Sequence, residues 1–166
     1  MPNTPHIPPP ERPAFVPGYG ISKAPEGMVP WGEVERRLTQ ARNYWIVSTR
    51  PDGRPHAAPV WGLWLSGVFY FSTDLESVKG KNLAADPRVA VHLESGDEVV
   101  ILEGRVELEH NRTTLEAFAD AYQAKYRFRP DVAKAEPGVY RLVLEKALAW
   151  QEKDFPTSAT RWQMAR

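Results

Sequence analysis

The sequence predicts a mainly β domain: six antiparallel strands closing into a barrel, with short helices set between them. Three observations predict it. Pro51-Asp52-Gly53 stands between two β-rich segments, where proline presets the first turn position and glycine accepts a left-handed backbone. Ser66-Gly67 then separates the second segment from a third, which makes a meander. Helical periodicity is confined to short stretches, and a meander of this kind disposes of its exposed edges by closing.

Residues 1–30 carry nine of the 16 prolines, including Pro8-Pro9-Pro10. Proline fixes φ and removes a donor, so this stretch reads as an extended arm, loose or laid across a neighbouring surface, with Phe15, Tyr19 and Trp31 to dock it. A single domain is expected over 31–166. It opens with a helix over 31–42, where Trp31, Val34, Leu38 and Ala41 share one face. Strands are expected at 44–50, 55–65 and 68–72. A polar helix follows at 74–85, capped by Thr73 or Asp74 and stopped by Pro87. Strands resume at 88–94 and 99–109 around Ser95-Gly96-Asp97. Thr113 with Glu116 fits a capping box for a helix running to about Phe128, and 138–150 alternates as the sixth strand. The tail reads as short and polar, apart from Trp162 and Met164.

Composition removes whole classes of function. Lys plus Arg equals Asp plus Glu at 21 each, without the basic excess of a general nucleic-acid binder. The absence of cysteine excludes disulfides, iron–sulfur clusters, thiolate zinc and a cysteine nucleophile. With neither a signal-like start nor an apolar run of membrane-spanning length, a cytoplasmic protein is expected, with no membrane partner. Ser48, His56 and Asp52 make a triad only on paper, and the four histidines lack metal-ligand spacing. No catalytic side chain and no metal site are expected.

Two stretches carry chemistry. Residues 72–88 leave a strand through Ser72-Thr73 and bring Lys79 and Lys81 together on a short helix; hydroxyls, ammonium groups and helix-start N–H groups suit a phosphate. Alone, such a stretch is more commonly a solvated helix with a polar cap. Pro55-His56-Ala57-Ala58-Pro59-Val60-Trp61-Gly62 places two prolines in one strand, each deleting a ladder donor. A planar ring against the backbone and an irregular barrel strand explain that about equally well.

Their order decides. Val47 to Pro55, then Pro59-Val60-Trp61, Tyr70 to Thr73, Ser77-x-Lys79-x-Lys81-Asn82-Leu83 and Asp86-Pro87-Arg88 resemble the pyridoxamine 5′-phosphate oxidase-like split-barrel flavoproteins, particularly their flavin- and deazaflavin-dependent oxidoreductase branch. The likeness covers about 31–150, and Thr160-Arg161-Trp162 resembles a terminal segment of many members. It implies a six-stranded split barrel of the FMN-binding kind, dimeric, with a cofactor in the subunit groove. Thr73, Ser77, Lys79 and Lys81 would meet its phosphate, with Asn82 close by; Ala58, Pro59, Val60 and Trp61 would border the ring, and Trp162, of the same or the partner chain, would close the pocket. The lysine helix looks slightly more like the branch that uses coenzyme F420, with Arg50 and Arg54 to meet an anionic tail, although Ala84-Ala85 stands where many such helices carry a basic pair. FMN is the alternative cofactor, and a binding protein without turnover the alternative role. Pyridoxamine phosphate oxidation itself is not expected, because 140–166 offers no clear second basic site.

Overall fold

The computed structural model describes residues 5–165; the first four residues of the expected arm and the last residue of the expected domain lie outside the described residues. In chain order the elements are α1 (Trp31–Gln40), β1 (Asn43–Thr49), β2 (Pro55–Leu65), β3 (Val68–Thr73), α2 (Val78–Ala85), β4 (Arg88–His92), β5 (Glu98–Leu108), α3 (Arg112–Tyr126), β6 (Gly138–Gln151), α4 (Phe155–Ser158) and β7 (Thr160–Gln163). The strands run β3-β2-β1-β4-β5-β6-β7, and β3 also pairs with β6, so the first six strands close a barrel. β7 is an appendix on the second half of β6, from Lys146↔Gln163 to Ala149↔Thr160.

Turn chemistry sets the meander. Gly53 has φ 86° and donates its N–H to the Arg50 carbonyl at 2.8 Å, the three-residue hairpin with glycine at the left-handed position. Ser66 and Gly67, both at positive φ, make the tighter two-residue turn into β3. Alternation then sorts the side chains. Tyr44, Ile46, Phe69, Phe71, Val91, Val100 and Leu102 point inward, and Val34 and Leu38 of α1 complete this core from one end. Burying one such aliphatic side chain contributes about 1.5–3 kcal/mol. A second core lies outside the barrel, where Phe118, Tyr122 and Tyr126 of α3 cover Leu63, Tyr70 and Val139.

Several expectations need correction. The lysine helix begins at Val78, because the Ser77 hydroxyl accepts the Gly80 N–H at 3.0 Å and so caps it in place of Thr73 or Asp74. α3 is capped by Asn111, whose side chain accepts the Thr114 N–H at 3.0 Å; Thr113 lies inside the helix. The tail is structured, with α4 and β7 folding back on β6. The arm docks on that tail of its own chain. Glu11 and Arg161 exchange backbone hydrogen bonds, and the Arg12 guanidinium donates to carbonyls of Ala24, Glu26, Thr157 and Ala159.

Candidate functional site

The barrel is split between β2 and β3. β1 and β2 pair from Thr49↔Pro55 to Asn43↔Trp61, but β2 meets β3 only from Gly62↔Phe71 onward. Beyond that point β3 turns to β6, pairing from Tyr70↔Arg141 to Thr73↔Gly138. Residues 55–61 of β2 therefore keep one unpaired edge. Gly62 donates its N–H to the Tyr126 hydroxyl at 3.0 Å and accepts from the same hydroxyl at 2.8 Å, on the β1 side where Tyr126 also reaches the Arg42 carbonyl. By the two-residue period, residues 55, 57, 59 and 61 address the open edge. Pro55 and Pro59 thus sit where a missing N–H breaks no ladder bond, which is why the strand tolerates them.

α2 packs below this edge. Lys79 and Asn82, three residues apart, share a helix face turned toward β1 and β2. Asn82 is 2% exposed and donates to the Ser48 hydroxyl at 3.1 Å, which fixes the helix to β1. Ser48 pairs across the ladder with His56. Burial, helped by the charges of Arg50 and Lys79, pushes the His56 imidazole below its ordinary pKa, and its Nδ1 is buried without a hydrogen-bond partner. Burial likewise pushes Lys79 below the usual lysine value, and no carboxylate pairs with it among the described residues. A half-buried cation without a counter-ion, beside an orphaned ring nitrogen and the Arg50 guanidinium, is chemically suited to an anion.

The sequence-predicted residues are only partly brought together. Thr73 and Ser77 touch through their hydroxyls at 3.2 Å, yet the Ser77 hydroxyl is occupied by the cap and by the Asp74 carbonyl at 2.6 Å. Lys81 is exposed and pairs with Glu76 at 3.3 Å. Ala58 and Val60 lie half-buried on one face of β2, whereas Pro59 and Trp61 are exposed on the other, so the four do not form a single wall. Trp162 belongs to the core, 1% exposed and edge-on to Trp31, and in this chain presents no face to a pocket. Sequence reasoning names His56 only in a paper triad and dismisses it; its place beside Ser48 depends on the β1–β2 register, which the hairpin turn alone could have supplied. Arg42, Lys125 and Tyr126 at the far end of β2 were also missed. Among the described residues no cluster of three acidic or histidine side chains could hold a metal ion, and no helix is long and apolar enough to cross a membrane.

The family model for pyridoxamine 5′-phosphate oxidase matches residues 31–151. The chain belongs to that family. A comparison with curated proteins finds no match. Among solved structures, a conserved hypothetical protein of Mycobacterium tuberculosis superposes with TM-score 0.67 and 23% identity, covering 78% of this chain and 90% of that one. A structure named F420 reductase gives TM-score 0.56 and 23% identity over 75% of this chain and 98% of its own. A pyridoxamine 5′-phosphate oxidase-related, FMN-binding protein of Nostoc punctiforme gives 0.57 and 18% over 84% and 91%. At these identities the likeness shows the fold, a six-stranded antiparallel barrel with four short helices.

Proposed function

We propose that this protein is an oxidoreductase that carries a phosphorylated flavin or deazaflavin beside the open edge of β2, in a groove completed by a second copy of the chain. The observation that carries this reading is the uncompensated cluster of Lys79, Arg50 and His56 at the foot of that edge. The residues fit the group. Lys79 and Arg50 supply positive charge, and a phosphate oxygen accepting from His56 Nδ1–H would satisfy the orphaned atom and select the tautomer. Such a cofactor, when bound, supplies two-electron hydride chemistry, so the chain itself needs no nucleophile or acid–base pair. Its own residues bind and orient: α2 positions Lys79, the β1–β2 hairpin positions Arg50 and His56, and the β2 edge offers backbone groups from Ala57, between the two prolines, and from Trp61 beyond the second.

Coenzyme F420 is the leading cofactor on sequence likeness, and similarity to a structure named F420 reductase accords with it. FMN is the second reading, and a specific observation favours it. Lys81 is tied to Glu76 and Arg54 to Asp52, which leaves little unpaired charge for a long anionic tail. Parallel fluorescence titrations of cofactor-stripped protein with F420 and FMN decide between them. Lys79→Ala should weaken the preferred cofactor by about 1.5–3 kcal/mol, roughly 10- to 150-fold, with an unchanged far-UV spectrum. Unchanged affinity would remove Lys79 from the site. Tight binding without reduction of any electrophile by the reduced holoprotein would make the chain a carrier or sensor.

A further inference from the structure

Most arginines and lysines of this chain lie against carboxylates, but two at the end of β2 remote from the phosphate cluster do not. Arg42 and Lys125 form no ion pair among the described residues. Lys125 is half-buried; its ammonium donates to the Tyr44 hydroxyl at 2.7 Å and the Gly62 carbonyl at 3.1 Å. Burial first, and the Arg42 charge second, push its pKa down to about 8. Two like charges are held together with no counter-ion, and an anion placed near them would relieve both penalties.

A flat apolar surface adjoins them. Trp61 stacks on Tyr126, ring centres 4.6 Å apart and planes 6° from parallel, and remains 37% exposed. The Arg42 guanidinium carbon is 5.3 Å from the Trp61 centre and 5.6 Å from the Tyr126 centre. A group nearly equidistant from two stacked rings stands at the rim of the stack, so Arg42 leaves the outer indole face open. Phe128, 59% exposed and edge-on to Tyr122, extends the apolar surface.

We propose that the outer face of Trp61, with Arg42 at its rim, is a binding site for a planar organic anion such as an aromatic carboxylate. The ring of the ligand would stack on the indole, and its carboxylate would meet the guanidinium, with the Lys125 charge behind. On the oxidoreductase reading this names the substrate class, since the shelf ends the same unpaired edge of β2; the binding claim itself stands apart from that reading.

The experiment is a titration of 15N-labelled protein with 2-naphthoate and, separately, with the neutral 2-naphthalenemethanol, following the indole N–H signals, that of Trp61 being the one lost in Trp61→Phe. The site requires that naphthoate move the Trp61 signal, bind at least tenfold tighter than the alcohol, and lose that preference in Arg42→Gln. Equal affinities, a Trp61 signal that stays still, or an Arg42→Gln protein that keeps the preference would overturn it. Among the described residues Arg42 makes no side-chain hydrogen bond or ion pair, so its replacement should leave the fold intact, which a thermal melt verifies. Lys79→Ala separates the two readings: it should weaken cofactor binding roughly 10- to 150-fold and leave naphthoate binding unchanged. Loss of the cofactor reading alone would leave the naphthoate result standing.

Discussion

Glu33, in the first turn of α1, accepts hydrogen bonds from Arg36 at 2.6 Å and from Arg37 at 2.8 Å, and Arg37 is 5% exposed. The Arg36 hydrogen bond foremost, with that from Arg37, holds the Glu33 carboxyl down to about 2. An acid whose pKa is depressed by folding stabilises the fold above its unfolded value and loses that contribution as pH falls through the folded one. Glu33→Gln should therefore lower stability by about 1–2 kcal/mol near neutrality, because the buried Arg37 loses its nearest charge. The deficit should shrink between pH 4.5 and about 2, where the wild-type carboxyl is itself protonated. Chemical denaturation across that range measures it; a deficit independent of pH would assign the effect to packing. At this scale the sequence was legible where one residue type has one use. Lys79 stood out on a short helix and is the unpaired cation of the cluster. Arg50 stands out only as a partner for an anionic tail, and Ser48 and His56 only as parts of a paper triad, because they become neighbours of Lys79 and Asn82 only through strand pairing and helix packing. The burial of Trp162 was not legible: being aromatic near a terminus does not reveal it, and here it comes from the pairing of β7 with β6.

α2 is seated by a close approach that only glycine permits. A Cβ at Gly80 would lie 2.5 Å from the Leu75 carbonyl and also press on that of Asp74, both backbone groups of the loop that leads into the Ser77 cap. Alanine gains up to about 1 kcal/mol of helix propensity over glycine. The steric conflict outweighs that gain, so Gly80→Ala should cost about 1–3 kcal/mol and, by tilting Lys79, weaken cofactor binding too. Gly32 in α1 is the control, since nothing lies within 4 Å of its Cβ position. Gly32→Ala should raise stability by about 0.4–1 kcal/mol. Thermal melts of both variants should move in opposite directions; a neutral Gly80→Ala would show that the loop yields. Elements bounded by proline or a turn pair were readable to within a residue or so, as β2 is between Pro55 and Ser66-Gly67. β7 was not, because four residues with a single large apolar side chain carry no periodicity, and its existence depends on the free half of β6. The start of α2 was misplaced by the competition among Thr73, Asp74 and Ser77, three capable caps within five positions.

The outside of the barrel is covered unevenly, and that bears on assembly. α3 shields the β2–β3 end through Leu63, Tyr70 and Val139. Across β1, β4, β5 and β6 the outward positions include Trp45, Val47, Ala90, Ile101 and Leu148, all only half-buried, joined by the register pairs Val47↔Ala90 and Ile101↔Leu148. His92 lies flat against Trp45, with ring planes 3° apart, and continues this face. An antiparallel sheet usually turns polar groups toward water on its open side, so apolar residues aligned across four strands offer the second copy proposed above a surface to cover. Self-complementary pairing of this face in two copies would bury it and bring the open β2 edge, with Pro59 and Trp61 at its margin, against the partner. A stable pair needs roughly 1,200 Å² or more in total, which a four-stranded face can supply. Sedimentation equilibrium should accordingly give a mass near twice 18.8 kDa. Val47→Lys combined with Ile101→Lys places two like charges per copy in that face and should yield a folded monomer. That monomer should bind the cofactor more weakly, because half of the groove departs with the partner. A wild-type monomer that retains its cofactor would refute the shared groove and leave the Lys79 cluster as a site complete within one chain.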